Sequence, residues 1–172
     1  MTSGKTLAGQ ALSEKTGLPL IDLDRYIEQK EGLDMEAIFS QKGEPHFRAV
    51  EEQSLREIIE NKDGIILSLG GGTPMNPRCA CLLKEKTRCY FLCCSPKVLA
   101  ARMLLLQDGR PLVKNLLAGH KGSTPKEKLR ILELWAAEML KDREQIYMQC
   151  SVKKIDTSDW DVEKILAQIE PF

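Results

Sequence analysis

MTSGKTLAGQ, residues 1–10, contains Gly4, Lys5 and Thr6 in the order in which the pattern G-x-x-x-x-G-K-[ST] ends. In that pattern backbone N–H groups surround a phosphate, the lysine reaches the β- and γ-phosphate oxygens, and the final hydroxyl group ligates Mg²⁺. The apolar residues that follow have helical spacing and stop at Gly17, so the sequence predicts a helix that begins at the lysine. A helix N-terminus offers free N–H groups to an anion, and this stretch therefore predicts a phosphate site.

Outward from this stretch, segments typical of buried strands alternate with segments typical of helices. The predicted strands are LPLIDLD, GIILSLGGG, RCYFLCC and SVKKIDT, and the predicted helices include GEPHFRAVEEQSLREIIENK, SPKVLAARMLLLQ and DWDVEKILAQI. This alternation indicates an α/β fold with a parallel sheet flanked by helices. A chain of 172 residues suffices for one domain with a core, so we expect a single domain over residues 1–172.

The composition argues against two classes of partner. The chain has 25 basic and 25 acidic residues, so it offers nucleic acid no basic field. Its apolar runs are shorter than the roughly 18 to 20 residues of a membrane span, and its N-terminus does not resemble a signal peptide. We therefore expect a cytoplasmic protein that binds neither nucleic acid nor membranes.

Polar and glycine residues follow two of the predicted strands. Ligands of open parallel sheets bind at the carboxyl ends of the strands, where this sequence has Asp22, Asp24 and the glycines at residues 70–72. A carboxylate beside a phosphate site can hold Mg²⁺ or accept the proton of an attacking hydroxyl group. The alternative is that the aspartates cap the next helix and the glycines only turn the chain. Three successive glycines, however, let a ligand approach bare backbone closely.

Residues 107–125 form a mixed stretch that contains QDGRPLVKNLLAGHKGST. Its glycines and its length favour a mobile lid over the site. We therefore expect residues 107–125 to cover bound ligands.

Together these segments resemble the shikimate kinases over the whole chain. The blocks that carry the resemblance are SGKT, LPLIDLD, IFSQKGEPHFRAVE, LSLGGGTP, GRPL, LKDREQIY and IDTSDW, in that order. The resemblance implies a P-loop kinase fold with a five-stranded parallel sheet. It also implies transfer of the γ-phosphoryl group of ATP to the 3-hydroxyl group of shikimate, with Mg²⁺, in aromatic amino-acid biosynthesis.

On the nucleotide side, the resemblance implies contacts with the phosphates, with the metal and with adenine. Thr6 and Asp22 are the implied ligands of Mg²⁺, and Lys5 and Arg110 supply positive charge at the transferring phosphoryl group. Arg102 is expected to lie against adenine. The residues implied to bind ATP are Gly4, Lys5, Thr6, Arg102 and Arg110.

On the acceptor side, the resemblance implies a substrate-binding segment of about residues 22–52. Asp24 is implied to bind the substrate hydroxyl groups and to act as the base. Arg48 and Arg143 are implied to bind the shikimate carboxylate, which suits the planar fork of arginine, and Glu51 to orient Arg48. Gly70, Gly71 and Gly72 form the implied backbone wall of the pocket. The alternative for Arg48 and Glu51 is an ordinary surface pair three residues apart.

The sequence departs from the family pattern in two places. Asp159 and Trp160 replace commoner small or proline residues in IDTSDW, and the first glycine of the phosphate loop would fall before Met1. We expect the first strand and the first half of that loop to be missing from this chain. Two alternatives therefore stay open: a non-catalytic shikimate kinase-like binding protein, and another small-molecule P-loop kinase, acting on gluconate or a nucleotide. A monomer is expected in each case.

Overall fold

The computed structural model of the chain describes residues 2–106, 111–120 and 122–169. Helices and strands alternate through these residues, which confirms the predicted α/β class. The strands are β1 Leu20–Asp22, β2 Ile66–Ser68, β3 Tyr90–Cys93 and β4 Lys153–Asp156. The helices are α1 Lys5–Thr16, α2 Leu23–Glu31, α3 Met35–Asn61, α4 Pro77–Lys86, α5 Pro96–Leu105, α6 Pro111–Ala118, α7 Pro125–Cys150 and α8 Val162–Leu166. Among the described helices, none combines the length and the apolar character that crossing a membrane requires.

The strands form two separate parallel pairs. Strand β1 pairs with β2 in the register Ile21 to Leu67, and β3 pairs with β4 in the register Leu92 to Ile155. The predicted parallel pairing is therefore confirmed. Within the described residues no strand joins β2 to β3, so the parallel strands form two pairs with a gap between them.

A cleft of about 570 Å³ lies between the two pairs of strands. Leu67 of β2 and Phe91 of β3 line it from the two pairs, and Leu12 of α1 and Leu140 of α7 line it from helices. A strand that is paired on one side only presents alternate N–H and C=O groups on its other side. Within the described residues no ladder of backbone hydrogen bonds links β2 to β3 across the cleft. The packing of helices therefore holds the two pairs of strands together.

Each half of the molecule has its own apolar core. The first core packs residues of α2, α3 and α4, including Ile27, Leu55 and Leu83. The second packs residues of α5, α6 and α7, including Met103 and Leu132. Helix α3, which carries Arg48, and helix α5, which carries Arg102, thus belong to separately packed cores.

Helix α6 occupies much of the predicted lid, where the sequence did not predict a helix. Its Val113 and Leu117 are buried against Leu132 and Ala136 in the second core. Residues 107–110 of the predicted lid, with Arg110, lie outside the described residues. The described part of this stretch is thus a packed helix.

Helix α3 changes direction at Gly43. The backbone there has φ 79° and ψ 167°, a conformation that only glycine adopts readily, and Pro45 follows in the first turn of the second half. The sequence correctly predicted a helix over this second half. The break separates Met35 and its neighbours from the turn that carries Arg48 and Glu51.

Candidate active site

The phosphate end of the site begins at the start of α1. Helix α1 begins at Lys5, as predicted, and Gly4 precedes it with φ 90°, in the left-handed region that favours glycine. The side-chain hydroxyl group of Thr2 is buried and has no hydrogen-bond partner. Thr6 lies exposed in the first turn of the helix. An unpaired buried hydroxyl beside a helix N-terminus suits an anionic ligand.

Asp22 caps the helix that follows β1. Its Oδ1 accepts hydrogen bonds from the backbone N–H groups of Asp24 at 3.1 Å and Arg25 at 3.3 Å. The alternative interpretation, that Asp22 caps the next helix, is therefore correct for one of its carboxylate oxygens. The two capping bonds do not use the other oxygen. Asp24 is not the cap: it lies in the first turn of α2, against Gly70.

Asp24 has an unusual electrostatic environment. Burial raises the pKa of its carboxyl group, and the negative charges of Asp22 and Glu51 raise that pKa further. The positive charge of Lys5 acts in the opposite direction. Asp24 therefore lies within electrostatic reach of both Lys5 and Glu51, the carboxylate that is described next.

Arg48 is held by a buried carboxylate. Its Nη1 donates to Glu51 Oε2 at 2.8 Å, and the Thr73 hydroxyl group donates to Glu51 Oε1 at 2.7 Å. Glu51 is only 1% exposed, so the alternative of an ordinary surface pair is wrong. The Nε and Nη2 atoms of Arg48 also contact Glu44, which is exposed. Burial alone would lower the pKa of Arg48, but its bonds to these two carboxylates outweigh burial and raise that pKa.

The three glycines form one wall of this site, and each lies against a different side chain. A side chain at any of the three positions would crowd its neighbour. A Cβ atom would lie 3.2 Å from Asp24 Oδ1 at Gly70, 3.1 Å from the Tyr147 hydroxyl oxygen at Gly71, and 2.8 Å from Arg48 Nη1 at Gly72. The wall therefore brings together the side chains of Asp24, Arg48 and Tyr147, which lie far apart in the sequence.

Tyr147 belongs to this wall, although it was not among the predicted site residues. Its hydroxyl group donates to the Gly71 carbonyl oxygen at 2.6 Å, and its ring lies 5.0 Å from that of Phe91. The predicted Arg143 lies one helical turn earlier, with Nη1 3.9 Å from the position of a Cβ at Gly71. The sequence signal that could have identified Tyr147 is its spacing of four residues from Arg143 in DREQIY, because this spacing puts both side chains on one helix face. Thr73, which follows the three glycines directly, was also missed.

Tyr147→Phe should lower the free energy of unfolding by about 1 kcal/mol, because it removes one partly buried hydrogen bond. Urea unfolding measures this change. The matched control is Tyr26→Phe, which removes the same atom from a bond to the exposed carboxylate of Glu57 and should cost less. Equal losses of unfolding free energy in the two variants would show that the bond from Tyr147 to Gly71 stabilises the fold no more than an exposed bond does.

Arg102 lies in a separate cluster beside the phosphate loop. Its Nη2 donates to the carbonyl oxygens of Thr157 and Ser158, and its Nη1 lies 3.4 Å from the Thr2 carbonyl oxygen. The ring of Trp160 lies over the guanidinium group, with its centroid 4.4 Å from Cζ. The indole therefore covers a face of the group that was expected to contact adenine.

The alternation of parallel strands and helices, with a glycine-lysine helix start and carboxylates at the strand ends, defines an α/β phosphotransferase of the P-loop kinase class. The chain belongs to the shikimate kinase family, whose sequence profile matches residues 1–171. A shikimate kinase from Chlorobaculum tepidum is 36% identical over 174 aligned positions, which cover 98% of this chain and 85% of the relative.

Two solved structures are similar to this fold. Shikimate kinase from Bacteroides thetaiotaomicron has a TM-score of 0.82 and 26% identity, with 97% of this chain and 90% of that chain covered. Shikimate kinase from Acinetobacter baumannii, in complex with shikimate, has a TM-score of 0.73 and 27% identity, with 95% and 85% covered.

Proposed function

We propose that this chain transfers the γ-phosphoryl group of ATP to the 3-hydroxyl group of shikimate, yielding shikimate 3-phosphate in aromatic amino-acid biosynthesis. The observation that carries the proposal is the glycine wall, where the carboxylate of Asp24 and the guanidinium of Arg48 lie against Gly70 and Gly72. A base and a carboxylate-binding group on one wall suit an acceptor that has both hydroxyl groups and a carboxylate. The shikimate-bound relative from Acinetobacter baumannii supports the same acceptor.

Arg48 is proposed to bind the shikimate carboxylate. Glu51 is buried and also bonded to Thr73, so it keeps Arg48 in place. Glu44 is exposed and occupies Nε and Nη2, the two donors that a carboxylate would use in a bidentate pair. Shikimate would therefore displace Glu44 and leave Glu51 bonded. Arg143, which lies beside Gly71, is proposed as the second arginine for the same carboxylate.

Asp24 is proposed to bind the reacting hydroxyl group and to accept its proton. Burial and the neighbouring negative charges raise the pKa of this carboxyl group, which makes the carboxylate a stronger proton acceptor. The three backbone positions of the wall and Arg48 would fix the ring, so that one hydroxyl group faces the phosphate end. Protein groups then position the acceptor, as phosphoryl transfer requires.

On the nucleotide side, Gly4, Lys5 and Thr6 are proposed to bind the phosphates. The unpaired hydroxyl of Thr2 and the N–H groups at the start of α1 support an anion at this point. Hydroxyl and carboxylate oxygens are ligands that Mg²⁺ prefers, so Thr6 and Asp22 would hold it. When bound, Mg²⁺ neutralises charge on the β- and γ-phosphates.

The remaining parts of the proposal follow the family resemblance. Arg110, in the proposed lid of residues 107–125, would approach the transferring phosphoryl group, and Arg102 belongs to the nucleotide side. We also propose that residues 1–172 form a single domain, with a substrate-binding segment at about residues 22–52. The protein would act as a monomer in the cytoplasm, where ATP is supplied. The balance of 25 basic and 25 acidic residues supports small-molecule partners over nucleic acid.

A coupled assay of ADP release tests this function. Shikimate with MgATP should give turnover, whereas gluconate and nucleoside monophosphates should not, because they do not combine a carboxylate and hydroxyl groups in the arrangement of this wall. Turnover with either of those acceptors alone would assign the chain to another kinase. Shikimate binding by calorimetry without any turnover would make it a binding protein.

A further inference from the structure

We propose that Thr73 is a positioning residue for the acceptor. Its hydroxyl group fixes the carboxylate of Glu51 and, through Glu51, the direction in which Arg48 faces the carboxylate of shikimate. The inference rests on the proposed transfer to shikimate, and it adds a residue that itself touches no substrate. A buried hydroxyl group would then control the affinity for the acceptor without taking part in phosphoryl transfer.

A single hydrogen bond does not fix the orientation of a glutamate carboxylate. The last torsion of the side chain has a broad energy profile, so a carboxylate held at one oxygen can still turn. Arg48 Nη1 holds Glu51 Oε2 at 2.8 Å, and the Thr73 hydroxyl group holds Oε1 at 2.7 Å. Bonds to both oxygens fix the plane of the carboxylate. The guanidinium group that bonds to Oε2 is thereby given one direction.

Water cannot take the place of Thr73 at this carboxylate. Glu51 is 1% exposed and Thr73 is 0% exposed, so the bond between them lies inside the protein. Without the hydroxyl group, Oε1 of Glu51 would be a buried charged oxygen that has lost its donor, which is costly. The carboxylate would turn toward its remaining donor. The side chain of Arg48 is 34% exposed and has room to move with it.

The backbone of the glycine wall also places Thr73. The residue begins a short 3₁₀ turn, Thr73–Met75, directly after the three glycines. Its N–H group donates to the Gly70 carbonyl oxygen at 3.2 Å, and its own carbonyl oxygen accepts from the N–H of Asn76 at 3.3 Å. Threonine is branched at Cβ, which limits its side-chain rotamers. The hydroxyl donor is therefore held in register with the wall against which Arg48 lies.

The hydroxyl group of Thr73 lies near a second carboxylate, that of Asp24. A Cβ atom at Gly70 would lie 3.2 Å from Asp24 Oδ1 and 3.5 Å from Thr73 Oγ1, so both side chains flank this glycine. A hydroxyl group has one proton to donate, and the bond to Glu51 uses it. Thr73 therefore acts on the carboxylate that holds Arg48 and not on the proposed base. Its loss should affect acceptor binding and not proton transfer.

A series of substitutions at Thr73 tests this role. Thr73→Val keeps the shape of the side chain and removes the donor. It should raise KM for shikimate about tenfold, with an equal loss of shikimate affinity by calorimetry, because Arg48 loses its direction. The values of kcat and of KM for ATP should not change. Thr73→Ser keeps the donor and should have nearly the original KM, whereas Thr73→Cys, a weak donor, should lie between serine and valine.

Thr87→Val is the matched control. It removes the same hydroxyl group from a bond of 2.7 Å to the Leu83 carbonyl oxygen at the end of α4. Both valine variants should lower the melting temperature, because each loses a hydrogen bond, but only Thr73→Val should raise KM for shikimate. In the Arg48→Ala background, Thr73→Val should add little to the loss of shikimate affinity, because Thr73 acts through Arg48.

Three results would overturn the inference. They are an unchanged KM for shikimate in Thr73→Val, an equal loss in kcat and in KM for ATP, and losses that add fully to those of Arg48→Ala. If Thr73→Val does not fold, the serine and cysteine variants decide, and equal KM values for these two would refute the role. The unmodified chain tests the proposed function separately. If it phosphorylates shikimate and Thr73→Val does so with the same KM, this inference alone fails, whereas an unmodified chain that neither binds nor phosphorylates shikimate would refute both.

Discussion

Asp24→Asn should lower kcat for shikimate phosphorylation by about 10²-fold or more, which is the scale on which general bases act. The substitution keeps the shape of the side chain beside Gly70 and removes its ability to accept a proton. Asp22 accepts the hydrogen bonds that cap α2, so the helix keeps its cap. The expected loss is therefore in chemistry and not in folding.

The same substitution should leave the melting temperature unchanged or raise it slightly at neutral pH. Burial and neighbouring negative charges raise the pKa of Asp24 in the folded state. A raised folded pKa stabilises the fold at low pH, and that contribution is lost as the pH rises through the raised value. Above that raised value, the ionised carboxylate of Asp24 therefore destabilises the fold. Asparagine carries no charge there, and the difference between the two proteins should shrink as the pH falls and Asp24 becomes protonated.

Steady-state kinetics and thermal melts over a pH series measure both effects. Asp34→Asn is the matched control, because it changes an aspartate that caps α3 and keeps a capping side chain. The control should alter neither kcat nor its pH dependence. Normal turnover of Asp24→Asn, or a clearly lowered melting temperature at neutral pH, would remove Asp24 from the role of base.

Gly72→Ala should raise KM for shikimate by about 10- to 100-fold, the worth of one charge-assisted pair. The added Cβ would lie 2.8 Å from Nη1 and 3.0 Å from Nη2 of Arg48. These atoms cannot stay there, so the guanidinium group of Arg48 must shift away from the wall. The acceptor would then lose its carboxylate partner, while the phosphate end of the site stays intact.

A double-mutant cycle with Arg48→Ala separates this cause from general damage to the wall. Arg48→Ala alone should raise KM by a similar factor. Gly72→Ala should then add little in the Arg48→Ala background, because the crowded group is gone. Additive losses, measured as KM and as shikimate affinity by calorimetry, would show that Gly72 acts independently of Arg48.

Residues close in sequence were the most predictable. The start of α1 at Lys5 follows from one glycine-lysine-threonine pattern and the helical spacing after it. At the start of α5, the Ser95 hydroxyl group accepts a hydrogen bond from the N–H of Val98 and so caps the helix. Both features depend on interactions within one turn, which local sequence determines. Asp22 was harder, because capping and metal binding use the same carboxylate.

Features that depend on contacts between distant segments were less predictable. The bond from Tyr147 to Gly71 joins residues 76 positions apart, and the Arg102 cluster joins residues of three separate segments. The periodicity of a local stretch of sequence carries no information about contacts between distant segments. Helix α6 was missed for a related reason: its glycine-containing surroundings favoured a loop, whereas burial of Val113 and Leu117 in the second core stabilises a helix.

The residues proposed to take part in the reaction lie on both sides of the cleft between the two pairs of strands. Asp24 and Arg48 belong to the β1–β2 half, whereas Arg102, on α5, belongs to the β3–β4 half. Tyr147 touches both, through the Gly71 carbonyl oxygen and the ring of Phe91. Transfer requires the reacting atoms to approach within about 3 to 3.5 Å, so a small slip of one half against the other costs rate. The stiffness of helix α7, which spans the cleft, therefore governs how well donor and acceptor stay aligned. A change that loosens this helix far from the reacting atoms would slow transfer, although every group that touches substrate would stay the same.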